Sequence, residues 1–453
     1  MRFKPLQPFW LPIYFFLAGI LLGTVLLHAD AAHPGAELSW LDSLFTATSA
    51  MCVTGLIVVD TGSVFSQYGQ AVILILIQLG GLGVMTYTSL VMYLLGRHVS
   101  LADRMAVSNT LLHDPGFSLK SFLLRIVLGA FGLELAGAAC LYFLTDANFS
   151  VWSAAFHSVS AFCNAGFALQ PDSLTQWQAD WSVNTVFMLL IILGGLGFYV
   201  LHEVSSKAIG ILSGRKPRTG AYFFSWHTSV VLKTTAFLLL GGAVIFFLAE
   251  HNGGQNDLDI STQMLVAFFN SVTCRTAGFN TVDIGGLTNV TLVFMLAFMF
   301  IGGSPGSCAG GIKTTTFRAI FAFIVSQVRG GSQARIGRFA LDAASLNRAL
   351  TLLIFALALV AGAVLLLEVS EGGDMPHSMV RGHFLDTLFE VVSAFGTVGL
   401  STGITDTLSS FGKGVLIVLM FVGRLGPVWM LAALQSWQSF PKYRLPQDSL
   451  PLG

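Results

Sequence analysis

The stretch FTATSAMCVTG, Phe45 to Gly55, decides how this chain is read, because it returns three more times. The later copies are FHSVSAFCNAG (Phe156 to Gly166), FFNSVTCRTAG (Phe268 to Gly278) and FEVVSAFGTVG (Phe389 to Gly399). Each opens on phenylalanine, reaches a glycine ten residues later and continues with Leu or Phe. The glycines stand 111, 112 and 121 residues apart, so one period tiles the 453 residues. Four units are expected: 1–105, 106–220, 221–338 and 339–453.

Working outward, each copy lies between two apolar runs. Runs at 9–27, 122–144, 230–249 and 347–367 precede it, and runs at 70–95, 183–201, 288–312 and 414–437 follow. About 20 apolar residues cross a hydrocarbon core of about 30 Å. The F-to-G segment would reach only about 17 Å as a helix, so it can enter the membrane and turn back but not cross. Backbone that turns back at membrane depth survives only where protein buries it or water reaches it, and four such segments imply a shared aqueous axis. The expected fold is therefore an all-α membrane protein of four tandem helix, re-entrant pore helix, helix repeats, with eight transmembrane helices in a pseudo-fourfold arrangement. Because every unit crosses twice, the repeats are parallel, unlike the inverted halves of many secondary transporters.

Composition agrees: 54% of residues are hydrophobic and 10% charged, against roughly a quarter charged in soluble chains. The 23 basic and 23 acidic residues cancel and give no reason for a nucleic-acid partner, but they are segregated. Acids crowd one set of connections (Asp30, Glu37, Asp42, Asp60; Asp172, Asp180; Asp257, Asp259, Asp283; Glu368, Glu371, Asp374). Bases crowd the other (Arg2, Lys4; Arg97, Arg104; Arg215, Lys216, Arg218; Arg329, Arg335, Arg338; Lys442, Arg444). The positive-inside rule puts the basic set and both termini in the cytosol. Run 9–27 is too long for a signal-peptide core and reads as a retained helix. Cys52, Cys140, Cys163, Cys274 and Cys308 show no metal or redox spacing and read as packing residues.

A dehydrated monovalent cation needs a ring of oxygen ligands, which backbone carbonyls from four loops can supply. Aiming successive carbonyls inward requires torsions that glycine adopts cheaply. A single glycine in an apolar chain commonly serves close helix packing; four at equal offset, each between two spans, point to the carbonyl ring. The short helices also direct their partially negative C-terminal ends at the axis.

The segments TATSAMCVTGLIVVDTG (Thr46 to Gly62), FCNAGFAL (Phe162 to Leu169), CRTAGFNT (Cys274 to Thr281) and FGTVGLSTG (Phe395 to Gly403) resemble the pore loops of the Trk/Ktr/HKT potassium-transport superfamily, most closely its bacterial Ktr membrane subunits. The resemblance covers nearly the whole chain. It implies the build of potassium channels and K+ held by backbone carbonyls of a selectivity filter: Val53, Thr54 and Gly55; Asn164, Ala165 and Gly166; Thr276, Ala277 and Gly278; Thr397, Val398 and Gly399. In plant relatives a serine at the first filter glycine accompanies sodium transport, so Gly55 favours potassium. Na+ dependence stays open, as does passive against coupled conduction. The resemblance also implies a homodimer in plasma-membrane lipid, the bacterial inner membrane, seated on a cytosolic ring of nucleotide-binding, KtrA-like regulatory subunits. This chain carries no nucleotide-binding motif itself.

The second runs share a glycine site 24 to 28 residues past each filter glycine: GGLG (80–83), GGLG (194–197), GGS (302–304) and GRLGP (423–427). In unit three it grows to GGSPGSCAGG, with Gly302, Gly303, Ser304, Pro305, Gly306, Ser307, Gly310 and Gly311. A helix there would lose about 1 kcal/mol per glycine and about 3 for the proline. A break in this one unit, just below the filter, could obstruct the axis and move aside; the alternative is a packing kink. The resemblance supports a gate. Arg424 stands at the equivalent site of unit four, and carbonyls of 302–311 are its expected partners. Arg275 is expected to support the filter, Glu134 to make an interhelical contact, His157 to be a packed, hydrogen-bonded histidine, Lys313 to end the loop, and Lys233 and Arg125 to snorkel. A solute transporter would show inverted halves, and a membrane enzyme would need paired carboxylates, a metal cluster or an activated nucleophile in its spans. The sequence has neither.

Overall fold

Serine, threonine and aspartate start most of the helices, as residues that favour caps over helix interiors do. Ser39 accepts the Asp42 N–H, Ser150 that of Ser153, Thr288 that of Thr291 and Ser409 that of Gly412. At Asp259 the Thr262 hydroxyl and backbone N–H hold the carboxyl below the usual carboxylate range. In the computed structural model these caps begin helices in residues 10–82, 119–145, 149–213, 224–251, 253, 257–372, 376 and 382–426, which are the residues described. Outside them lie Arg2, Lys4, Gly83, Arg97, Arg104, the expected amphipathic stretch from Ser100 to Leu112, Arg215, Lys216, Arg218, Asp374, Pro427, Lys442, Arg444 and the later halves of runs 70–95 and 414–437.

Unit one contains α1 (Leu11–Leu27), α2 (Trp40–Met51), the single turn α3 (Thr61–Val64) and α4 (Gln67–Gly81). Unit two contains α5 (Leu119–Phe143), α6 (Val151–Cys163), α7 (Trp181–Leu196) and α8 (Phe198–Leu212). Unit three contains α9 (Trp226–Glu250), α10 (Ile260–Thr273), α11 (Asn289–Phe300) and α12 (Thr314–Val328). Unit four contains α13 (Ala343–Glu371), α14 (His383–Gly396) and α15 (Ser410–Leu425). A small antiparallel hairpin, Arg335–Ile336 with Phe339–Ala340, departs from a purely helical fold; Gly337 turns it with a φ of 64°.

Among the described residues α5, α9 and α13 are long and apolar enough to cross a membrane, and the bent pair α7 and α8 makes a fourth candidate. Helices α1, α11 and α12 are apolar but shorter. On α5, α9 and α13 large apolar side chains point outward, including Leu135, Phe237, Leu240 and Leu365. Such a surface suits a chain solvated by lipid rather than water.

The four short helices α2, α6, α10 and α14 hold 12 to 14 residues each and are largely buried. Each packs on the first helix of its own unit. The apolar helix that follows each glycine loop packs on the short helix of the next unit: α4 on α6, α7 on α10, α11 on α14, and α15 back on α2. These contacts close a circuit, and one apolar core runs through all four units. Phe45, Phe156 and Phe389 are fully buried in it, but in unit three that place belongs to Phe269, with Phe268 only partly buried. Counted from the buried ring, unit three is one residue shorter before its glycine than the ten-residue spacing suggests.

Candidate functional site

At the ends of the short helices the chain takes the same torsions four times. Two residues before each glycine φ is positive in a side-chain-bearing residue: 56° at Val53, 60° at Asn164, 66° at Thr276 and 50° at Thr397. The glycines follow at 94° (Gly55), 72° (Gly166), 77° (Gly278) and 90° (Gly399). For Val53 and the two threonines this costs on the order of 1 to 3 kcal/mol each, which packing around the loops must offset. The residue between is tied back to its helix. Thr54 N–H donates to Ser49 O at 2.8 Å, Ala165 to Ser160 O at 2.7 Å, Ala277 to Thr273 O at 3.0 Å and Val398 to Ser393 O at 2.8 Å.

The side chains of those same four residues brace the loops. Ser49 Oγ accepts the Gly55 N–H and Ser393 Oγ the Gly399 N–H, both at 3.1 Å. Ser160 Oγ donates to Phe167 O at 2.7 Å and Thr273 Oγ1 to Phe279 O at 2.6 Å. Sequence reasoning passed over them, although a hydroxyl four residues after each buried phenylalanine was there to be seen. The residue just after that phenylalanine also matters in two units. His157 donates from Nδ1 to Ser153 O at 2.7 Å and accepts the Leu169 N–H at Nε2, which fixes the neutral tautomer. Glu390, fully buried, accepts from the hydroxyls of Ser401 and Thr405.

The four glycines meet. A Cβ on Gly166 would lie 2.9 Å from Gly278 Cα, one on Gly278 2.7 Å from Val398 O, one on Gly399 2.9 Å from Gly55 Cα, and one on Gly55 2.5 Å from Ala165 O. The ring runs 55, 166, 278, 399 and has no room for a side chain. Thr54, Thr276 and Thr397 are buried in these loops with hydroxyl oxygens that have no partner among the described residues. Above the ring opens a cavity of about 390 Å³, lined by all four glycines and by Asp60, Asp283 and Asp406 from three units.

Below it the chain of unit three leaves helix α11 at Phe300 and resumes helix at Thr314. Gly302 N–H bonds Ile312 O at 2.9 Å, and Thr314 N–H bonds Gly303 O at 3.1 Å, so the segment folds back on itself. Gly310 abuts Thr397, and Gly311 abuts Gly396, beneath the fourth loop. Three cations hold its carbonyls. Arg424 donates to Cys308 O and, from its other nitrogen, to Gly80 O of unit one. Lys313 Nζ donates to Ala309 O at 2.6 Å, and Arg275 Nη2 to Gly302 O at 3.3 Å. Arg275 thus stands in the third glycine loop and reaches the segment below it. None of the three has a carboxylate partner among the described residues.

The break is not confined to unit three. Gly197 (φ 88°, ψ 142°) ends α7 and turns the chain by 108°, and Gly426 ends α15 with nearly the same torsions (86°, 144°). The run 183–201 is therefore two helices and not the single span expected. The cause is a glycine three residues past Gly194 and Gly423, at a positive φ with an extended ψ that glycine adopts without a Cβ penalty. The carbonyls freed in unit two are used by the segment of unit three, with Ser304 N–H donating to Gly195 O at 3.0 Å and Cys308 N–H to Gly194 O at 3.2 Å; in return Phe198 N–H of unit two donates to Gly306 O at 3.0 Å. The preceding glycines serve packing: Gly80, Gly194 and Gly423 lie directly against the carbonyls of Met51, Phe162 and Phe395, where any side chain would collide. Among the weaker candidates, Glu134 accepts from Gln78 Nε2 with both oxygens, at 3.1 and 3.2 Å, an interhelical contact.

Four glycine loops closed into a ring, threonine hydroxyls buried within them and three aspartates lining the cavity beside it suit a membrane cation transport protein. The family model described as "TrkH: Cation transport protein" matches residues 14–439, and this chain belongs to that family. It is 38% identical to the Ktr system potassium uptake protein B of Bacillus subtilis, over 94% of this chain and 92% of that one. It is 34% identical to the potassium/sodium uptake protein NtpJ of Enterococcus hirae, over 97% and 95%. The crystal structure of the potassium transporter TrkH from Vibrio parahaemolyticus superposes with a TM-score of 0.73, covering 97% of this chain and 88% of that one, at 18% identity. The chain is a multi-pass membrane protein of the cation transport class.

Proposed function

We propose that this chain is the ion-translocating membrane subunit of a potassium uptake system, with the four glycine loops as its selectivity filter and segment 302–311 as its gate. The observation that carries the reading is the closed ring of four loops with matching torsions. In it carbonyls from Val53 to Gly55, Asn164 to Gly166, Thr276 to Gly278 and Thr397 to Gly399 replace the hydration shell of K+. Asp60, Asp283 and Asp406 raise the local cation concentration at the mouth. The four short helices turn their partially negative ends to the axis, supporting a cation where its water is stripped.

The cations Arg275, Lys313 and Arg424 then define the closed state. They anchor the segment under the ring by its carbonyls, and their uncompensated positive charge opposes a cation in transit. Opening requires Arg424 to release Cys308 O, and the Gly80 carbonyl offers its guanidinium a resting partner on the neighbouring unit. Eight spans in pseudo-fourfold array, cytosolic termini, a homodimer and a cytosolic regulatory ring complete the proposed assembly, and the names of the Ktr relatives support the multi-component part. The name of the potassium/sodium uptake protein NtpJ supports sodium as a second ion.

The reading is tested by uptake of radioactive Rb+ into proteoliposomes holding the purified chain. Accumulation that K+ competes away and an organic cation of similar charge does not is the expected result. Absence of Rb+ uptake under every ionic gradient, with the protein shown to be inserted, would refute it.

A further inference from the structure

We infer that the face between α9 and α12 binds an anionic phospholipid and that its occupancy stabilises the latched position of segment 302–311, an inference that rests on the gating role proposed above. A cavity of about 350 Å³ opens between these helices. Trp226, Lys233 and Phe237 line it from α9, Arg318 and Phe321 from α12, and Ile336 of the hairpin closes one end.

Neither Lys233 nor Arg318 has a carboxylate partner among the described residues. The Arg318 guanidinium lies 5.6 Å from the centre of the Phe321 ring. Two unpaired cations on the flank of a membrane protein are costly unless a counter-charge reaches them. Around them the surface is apolar: Phe237 is 67% exposed and Phe321 43%. A soluble anion would satisfy the charges and leave the rings uncovered, whereas a phosphate carrying acyl chains satisfies both. The arrangement along α9 matches the depth profile of such a lipid. Trp226 donates to Ile336 O at 3.2 Å, as an indole at the membrane interface does, and Lys233 stands two turns deeper with a stem long enough to reach back.

The site lies next to the gate in sequence. Helix α12 starts at Thr314, directly after Lys313, whose ammonium holds Ala309 O, and Arg318 is in that helix's second turn. The cavity is present with the segment latched, and a lipid that binds this arrangement more tightly than the released one shifts the equilibrium toward it.

Native mass spectrometry of the full chain with phosphatidylglycerol and phosphatidylcholine tests the binding. The wild type should retain phosphatidylglycerol preferentially. Lys233→Gln and Arg318→Gln should each weaken retention about fivefold, with Arg318→Lys restoring part of it. In flux assays the wild type should carry less Rb+ in phosphatidylglycerol vesicles than in phosphatidylcholine vesicles, and the Gln variants should carry equal amounts in both. Unchanged retention in both Gln variants overturns the inference, and so does a change of oligomeric state in the same spectra with retention unaltered, which would mark the face as a protein interface. A wild type without flux that still retains the lipid through Lys233 and Arg318 would fail the transport reading and leave the binding site standing.

Discussion

The ring of glycine loops and the tier of glycines beneath it are both made from four copies of one sequence element, yet they have diverged to opposite degrees. In the ring, Val53, Asn164, Thr276 and Thr397 differ as side chains and agree in torsion to within 16°. In the tier, Gly197 and Gly426 end helices in units two and four, whereas unit three replaces helix by a folded segment from 301 to 313. A ligand held by backbone oxygens demands equal geometry from every contributor. A moving part demands inequality, since four equal obstructions would have to move together. On the proposed reading, selection and gating share one axis because they use different tiers.

The largest effect that could break the comparison is expected in the ring. Gly278→Ala places a methyl 2.7 Å from Val398 O and 2.9 Å from Gly166 Cα, at a φ of 77° where L residues are strained. Backbone cannot give way there on two sides, so Rb+ uptake should fall at least about a hundredfold, roughly 3 kcal/mol in barrier terms. Gly330→Ala, also at positive φ but with open space around it, should leave uptake unchanged in the same flux assay.

A smaller effect is expected from the tier. Arg424→Ala removes two charge-assisted hydrogen bonds, each worth about 1.5 to 3 kcal/mol, one of them to the segment and one to Gly80 O. Unstimulated Rb+ efflux should rise about tenfold, with the ratio of Rb+ to Na+ flux unaltered. Lys313→Met, whose carbonyl partners belong to its own segment, should raise efflux by less. A change of ion preference in either variant would mean that the two tiers are not separable.

The smallest effect falls on the bracing hydroxyls. Ser49→Ala and Ser393→Ala each lose one hydrogen bond to a filter glycine, about 1 kcal/mol, and should cut the Rb+ to Na+ flux ratio a fewfold without opening the gate. Equal ratios in mutant and wild type would assign those serines to helix stability alone.

Much of this was legible in the repeat. The Phe-to-Gly period, the flanking apolar runs and the swollen glycine segment of unit three are local composition, and they marked where the four glycine loops and the folded segment fall in sequence. What escaped depends on register and on contacts between units. The one-residue contraction of unit three is hidden by the pair Phe268 and Phe269, because either could be the buried ring and only packing decides. The turn at Gly197 was hidden by an apolar run that continues on both sides of it, although a glycine three residues past Gly194 and again past Gly423 was a visible mark. Gly80 O as a partner of Arg424 joins residues 344 apart in the chain and leaves no local signal. Asp406 was overlooked because it stands outside the acidic clusters of the other connections, yet it lines the outer cavity beside Asp60 and Asp283.

The central claim is that the four glycine loops select the ion, and the most direct test is the ratio of Rb+ to Na+ flux through purified Gly55→Ser in proteoliposomes. Gly55 sits with a φ of 94° and a neighbouring carbonyl, Ala165 O, where a side chain would lie. A serine there must displace the second loop and add a hydroxyl to the ring. The account predicts that the ratio falls by at least about tenfold, a little over 1 kcal/mol of discrimination, while Na+ flux persists. A variant that still conducts with the wild-type ratio would contradict it.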